Sequence, residues 1–339
     1  LNNRVSDNIS LIITAIIYCF FCFAMPAFYP DILQEKGKKI EVTITKGMSA
    51  KDAAEAVMEA GVTENGNELA KWMGRYNIDR SIRPGIYDLV PGNAMYVARQ
   101  IKETKPRTYK FTLIPGSRYE EIANELYASL HGSDKDAFFK SDLADNSIYP
   151  KEMRFMLPAK PQDRIIFLMP ETYFLAPGYD IGKQFISHAS KLWYEKIGRN
   201  IHGKVDKKYI LETGTIASLV ENEAKIKEER PVLAGIFLNR INKKMRLQSC
   251  ATVVYCWEEK GEKKTSLTYK DLEIDSPYNT YLHKGLPPGP ISVPSEDSWL
   301  SAIAPAMTEY LFFFATKNGS HIFSKTYDEH IRRQSEATR

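Results

Sequence analysis

Residues Ile9 to Tyr29 form a run of 21 residues without one charged side chain. As a helix this run would extend roughly 31 Å, against a bilayer hydrocarbon core of about 30 Å. It predicts a single transmembrane helix over 9–29, with a short tail at 1–8 on one side of a membrane and the rest of the chain on the other. A cleaved leader would have a shorter apolar region and a small-x-small site. Met25 and Pro26 before Ala27 make a poor one, so the expectation is an uncleaved anchor, and no lipoprotein box precedes Cys22.

The remainder has a globular composition, 43% hydrophobic and 26% charged over 339 residues, which excludes a disordered chain and allows two or three domains. The 46 basic and 42 acidic side chains leave a net charge of +4, and no Lys/Arg stripe with interleaved aromatics occurs, so no nucleic-acid partner is expected. The cysteines fall as Cys19 with Cys22 and Cys250 with Cys256. The first pair reads as small apolar filler, and the second as free, partly buried thiols rather than a disulfide framework. The histidines show no H-x3-H or HExxH spacing, and G-x-S-x-G, Walker A and G-x-G-x-x-G are absent, so no metal or cofactor is expected and serine hydrolases and nucleotide enzymes drop out.

Residues 40–105 read as a small α+β module in the order β-α-α-β. Ile40, Val42 and Ile44 alternate as a strand, Ser49 and Asp52 make a helix start, a second helix spans about Glu68 to Tyr76, and Gly85 to Leu89 is a strand. The stretch VTITKGMSAKDAAEAV at 42–57 is echoed by FTLIPGSRYEEIANEL at 111–126, with Gly47 over Gly116. Each copy reads as strand, glycine turn, helix.

Residues 106–339 read as a mixed α+β domain. Phe138 to Ile197 is expected to be mostly helical, and Lys207 to Lys227 a helix with Lys225 to Arg230 as its solvated end. A further helix is expected over Val232 to Ile241, and a β-rich run from Ala251 to Trp257. The loops Ser276–Tyr281 and Gly285–Pro290 are too rich in Tyr, Asn and Thr to suggest buried core. Tyr310 to Thr326 reads as a closing hairpin with a type I′ turn at Asn318-Gly319, and His321 as structural.

Within the predicted 207–227 helix, Ile216, Leu219 and Val220 mark an apolar face, and steps of three and four lead to Glu223. Glu221 projects about 160° away, on the side of Asn222 and Ser218, where water can reach it. A carboxylate on an apolar face must be paired, or protonated with a raised pKa, or set in a cleft. A protonated glutamic acid beside a cleft is a general acid for a glycosidic oxygen. The alternative is a rotated helix in which Glu223 meets a lysine.

The blocks ASLVENEA (217–224), FLNRI (237–241), MRLQ (245–248), TVVY (252–255), SPYNTY (276–281) and GLPPGPI (285–291) occur in order, and together they resemble the endolytic murein transglycosylase (YceG-like) family. The resemblance implies that Glu223 is the catalytic acid of a lytic transglycosylase acting on peptidoglycan glycan strands, with peptidoglycan synthases as partners. It implies an N-terminus inside an inner membrane and a catalytic domain outside, although Arg4 before the span and Lys36, Lys38 and Lys39 after it favour the reverse. It also implies a LysM-like identity for the 40–105 module. By matching, Glu171 in the Pro-Glu-Thr-Tyr block is a second carboxylate near the cleft or else a turn residue, and Asn239 and Arg240 brace the cleft or else form an exposed helix end. Gln248, Thr252, Tyr255, Tyr278, Asn279, Thr280 and Tyr281 are expected substrate contacts. Where many members carry Asp-Pro before the Thr, this chain has Cys250-Ala251. A muramidase would need a second carboxylate such as Glu171, and a non-catalytic glycan-binding anchor would not need Glu223.

Overall fold

A computed structural model describes residues 37–128, 134–178, 180–201 and 205–337. The expected membrane helix at 9–29, with Cys19 and Cys22, lies outside the described residues. Among the described residues, no helix is long and apolar enough to cross a membrane. The chain divides into two compact units, one running up to Tyr109 and including Ala176–Asp180, the other formed by Lys110–Leu175 and Ile181–Arg339.

In the first unit, β1 (Ile40–Ile44) pairs antiparallel with β2 (Gly85–Leu89), Val42 facing Tyr87. Between them come α1 (Ala50–Glu59) and α2 (Gly66–Arg75), as the β-α-α-β reading expects. A third helix, α3 (Ala94–Glu103), is an addition to that order, and its buried Val97 and Ile101 join Val57, Leu69 and Leu89 in one core. Ser49 caps α1 through a reciprocal bond with Asp52, which satisfies backbone donors that the first helical turn leaves unpaired.

The second unit opens with β3 (Tyr109–Leu113), paired with β4 (Glu171–Leu175). Then α4 (Tyr119–Leu126) follows β3 in the same manner as α1 follows β1. Gly47 and Gly116 both hold positive φ, at 94° and 84°, a conformation that glycine adopts without a Cβ penalty. Asp52 and Glu121 each accept the backbone N–H three residues back, at 3.0 Å. The repeated sequence is thus a repeated local structure.

The unit continues through α5 (Lys135–Ala144), α6 (Ile181–Lys196), α7 (Lys207–Glu223), α8 (Arg230–Asn242), α9 (Cys250–Glu258) and α10 (Glu296–Ile303). The β5 (Phe312–Ala315) and β6 (His321–Ser324) hairpin follows, and then α11 (Tyr327–Ala337). The fold class is α+β. Helix α7 is buried on every side from Thr213 to Val220, not along one stripe. Its polar members bond back along the helix, Thr215 to the Leu211 carbonyl at 2.7 Å and Ser218 to that of Thr215 at 2.8 Å. A Cβ on Gly214 would stand 2.9 Å from Ile166 and 3.0 Å from Trp299, so glycine permits the close approach of that core. Trp299 in turn packs edge-on against Trp193, centroids 5.2 Å apart.

Several sequence expectations are corrected here. Residues 251–257 are helix, not strand: despite their β-branched and aromatic character, Thr252, Val253 and Cys256 share one buried helical face, and tertiary packing overrides intrinsic preference. Helix α7 stops at Glu223, so Lys225 to Arg230 is not its end but a separate turn running into α8, in which Lys225, Lys227 and Glu228 are exposed as expected while Glu229 binds His321 and Arg230 binds Glu221. Between α5 and α6, much of the expected helix is 3-10 turns at 146–148, 151–156 and 161–167. Asn318 does not take positive φ, so the hairpin is not type I′. Instead a Thr316–Gly319 turn ends in Gly319 at φ 85°, and the Asn318 side chain accepts the Ser320 N–H at 3.1 Å. The hairpin does not close the domain, since α11 follows it.

Candidate active site

Glu223 is the last residue of α7. The partial negative charge at a helix C-terminus opposes ionisation there. Opposite stands the N-terminus of α9, whose N-cap is Ser249. The Ser249 hydroxyl does not cap its own helix; it donates to Glu223 Oε1 at 2.5 Å, and the Ala251 N–H donates to the same carboxylate. Glu223 thus lies between the unfavourable end of one helix and the favourable end of another. Burial raises its pKa, partly offset by Ser249, His321, Ala251 and Arg240, and the net direction is upward. Among the described residues no lysine or arginine forms an ion pair with it, and part of its surface remains open. The rotated-helix alternative is therefore not what the chain adopts.

Glu221 is the reverse of its expectation. Its side chain is 6% exposed, not water-facing. Burial works to raise its pKa but is outweighed by donors: the Ser295 hydroxyl and N–H, Arg230, and the Ser298 hydroxyl, which together hold the carboxyl below the usual range. Arg230 Nη1 reaches it at 2.9 Å and the Ser295 N–H at 2.8 Å. The residue binds the end of α7 to the starts of α8 and α10.

The other residues singled out from the sequence separate into scaffold and surface. Thr252 and Asn279 are fully buried and Thr280 is 2% exposed, against the expectation that the 276–281 loop avoids the core. The Thr280 hydroxyl lies 2.9 Å from that of Thr252 and accepts the Ser249 N–H at 3.0 Å, while Asn279 donates to the Leu272 and Ile274 carbonyls at 2.9 and 2.8 Å. These bonds fasten the loop to the start of α9 and so set where Ser249 points. Gln248, just before it, is exposed with φ 50°, a left-handed conformation that costs a non-glycine residue about 1 to 3 kcal/mol.

Arg240 is 6% exposed, not at an open helix end. It donates to the Leu311 and Leu247 carbonyls, each at 2.6 Å, and lies over the Phe312 ring. Asn239 donates to the Thr308 and Tyr310 carbonyls. Both residues brace the hairpin segment against α8. His321 meets Glu229 at 2.7 Å. Tyr281 and Cys250 feel the Glu223 charge and touch each other, oxygen to sulfur at 3.1 Å. Cys250 and Cys256 are both free. Glu171 is exposed at the start of β4, its carboxylate accepting the Thr172 N–H. Tyr255 and Tyr278 pack together, centroids 4.8 Å apart. Ser249 went unrecognised in the sequence; a serine placed to cap the helix that follows is the signal that could have found it.

Fold and site together define an α+β protein with a largely buried glutamic acid at a helix end, its pKa pushed upward and no lysine or arginine in an ion pair with it among the described residues. Residues 42–336 match the YceG-like family, and the chain belongs to that family. It is 31% identical to the endolytic murein transglycosylase of Bacillus subtilis over 87% of this chain and 84% of that protein. It is 27% identical to the endolytic murein transglycosylase of Streptococcus pneumoniae over 88% of this chain, and that match spans only 58% of the longer relative. A solved yceG-like protein of Listeria monocytogenes has 28% identity and a TM-score of 0.53, over 87% of this chain and 98% of that one.

Proposed function

We propose that the protein is a peptidoglycan lytic transglycosylase in which Glu223 is both acid and base. The observation that carries this reading is a carboxyl whose pKa burial pushes upward, met by the Ser249 hydroxyl and the Ala251 N–H and by no ion pair among the described residues. Protonated Glu223 gives its proton to the oxygen between N-acetylmuramic acid and N-acetylglucosamine, and the C1–O bond breaks. The Glu223 carboxylate then takes the proton of the muramic C6 hydroxyl as that oxygen bonds to C1, which leaves a 1,6-anhydro end and consumes no water. Proton transfer of this kind contributes about 10² to 10⁴ in rate. A hydrolase would place a second carboxylate about 5 to 9.5 Å from the first, and Glu171, the candidate for that role, is exposed at the start of β4. The names of the Bacillus and Streptococcus relatives support the same substrate class.

The finer reading is that residues 9–29 anchor the chain in the inner membrane with the described units outside. There the enzyme would cut nascent strands beside the synthases that make them, and the 40–105 module would be LysM-like. The length and charge-free character of the run support the anchor. The deciding experiment is digestion of uncrosslinked glycan strands by the purified protein and by Glu223→Gln. Products one water lighter than hydrolysis products, made only by the unaltered chain, are expected. Hydrated ends, or equal products from both proteins, would overturn it.

A further inference from the structure

Four residues beyond Ala251 on α9, Tyr255 lines a cavity of about 120 Å³ that the reaction proposed for Glu223 does not use. One helical turn separates the two positions along α9. Asp163, Ile165 and Ile291 form its buried floor, exposed by 6%, 3% and 0%. The packed rings of Tyr255 and Tyr278 line it, and the exposed Glu120 and Glu259 carboxyls stand at its mouth, hydrogen-bonded to each other.

Asp163 is the member that the fold does not explain. Lys160 is the one donor the structure sets against its carboxylate among the described residues. It stands off at 3.7 Å and also reaches the Tyr278 hydroxyl at 3.4 Å. Burial pushes this carboxyl above its ordinary range, with Lys160 opposing. A buried carboxylate without close donors is costly, and a cation entering the cavity would supply them. The loop leaves room for it: a Cβ on Gly289 would stand 2.5 Å from Asp163 Oδ1 and 3.3 Å from the Tyr278 hydroxyl, so only glycine fits there.

Carboxyl groups outnumber the single lysine around the cavity, which disfavours an anion. Tyrosine faces attract a cation. Here Arg118 lies over the Tyr255 ring at 5.3 Å and Lys160 over that of Tyr278 at 5.8 Å, so an incoming ammonium would meet the ring edges and the carboxyls. The volume holds about four waters, enough for the ammonium end of an alkyl chain and too small for a hexose ring. We propose that this cavity binds a primary ammonium on an aliphatic stem. Resting on the glycan-strand reading above, that group is the side-chain amine of a diamino acid in the wall peptide, which seats the strand along α9, whose N-terminus faces Glu223.

The test is calorimetric titration of the full-length Glu223→Gln protein with Nα-acetyl-lysine methylamide and with its Nε-acetylated form. The free amine is expected to bind about tenfold tighter or more, a difference of about 1.4 kcal/mol, and Asp163→Asn to abolish the preference. Because Asp163 is buried, Glu259→Gln at the exposed mouth is the second variant, expected to weaken the free amine severalfold with the fold intact by circular dichroism. Equal binding of the two probes, no binding of the free amine, or unchanged affinity in both variants would overturn the assignment. In parallel, acetylation of the stem amines should lower kcat/KM of the unaltered enzyme on glycan strands, and unchanged kcat/KM would remove the substrate role. If the free amine binds but no strand is cut, the cavity assignment stands and the lytic reading falls.

Discussion

Glu221 and Glu223 leave the same helix end two residues apart and have opposite fates. Glu221 enters a site made of an arginine and two serines at the start of α10, the N-cap Ser295 and Ser298 in the first turn, each placed to donate. Glu223 enters a site where one serine and one backbone N–H donate and the nearby Arg240 and His321 are held by other partners. Both are removed from most of the solvent, so burial alone does not decide the protonation state. The number of donors aimed at the carboxyl does. The first arrangement holds three helices together, and the second favours the protonated carboxyl.

The sharpest way to break the comparison is to remove each carboxylate in turn. Glu223→Gln should lower the rate of anhydro-end formation by about 10² to 10⁴ while leaving the folded state in place, as chromatographic product assays and thermal unfolding would record. Glu221→Gln should do the opposite. Loss of one partner from a buried ion pair costs about 3 to 5 kcal/mol because the other charge is left uncompensated. Arg230 is poorly placed to absorb that loss, since its Nε already lacks a hydrogen-bond partner. Denaturant titration checks this; equal stability of the two variants would mean that the sites are not distinct.

The pH dependence separates the two further, with opposite signs. Glu223 has a native pKa above the ordinary 4.5. Between those values the native state keeps a proton that the unfolded chain loses, so stability falls as pH rises through that window. Glu221 has a native pKa below the ordinary 4.5, so its contribution is full above that value and is lost as pH falls through the native one. Glu223→Gln should therefore flatten the stability profile on the alkaline side of 4.5, and Glu221→Gln on the acid side. Unfolding free energies measured across pH would show it.

How much of this was legible in the sequence follows the range of the interactions. Local features carried through: the strand-glycine-helix echo needs only Gly47 and Gly116 in left-handed backbone and a carboxylate three residues into each helix. Glu223 was legible because steps of three and four along α7 reach it from Leu219 and Val220. Glu221 was not, since its partners Ser295 and Ser298 lie 74 and 77 residues away, and a helical projection shows direction without neighbours. For α9, the run TVVYCW has the propensity of a strand, and its helical state comes from burying Thr252, Val253 and Cys256 together. Asn279 and Thr280 read as polar loop because the carbonyls and hydroxyls that satisfy them are supplied by the tertiary fold.

Ser249 offers a smaller and finer test of the same contrast. It is the one side chain that hydrogen-bonds Glu223 among the described residues, and its bond favours the charged form. Ser249→Ala should raise the Glu223 pKa further, moving the alkaline limb of the kcat profile to higher pH, and should lower the maximal rate by about tenfold, near the lower end for a hydrogen bond to a charged group. A role confined to packing would reduce stability and leave that limb where it was. The smallest effect belongs to the residue before it. Gln248→Gly relieves left-handed strain but frees the unfolded chain, two contributions of about 1 kcal/mol each that nearly cancel. Stability should then change little, whereas a fall in kcat with an unmoved pH limb would show that Gln248 aims Ser249 through its backbone or reaches the strand with its own exposed amide.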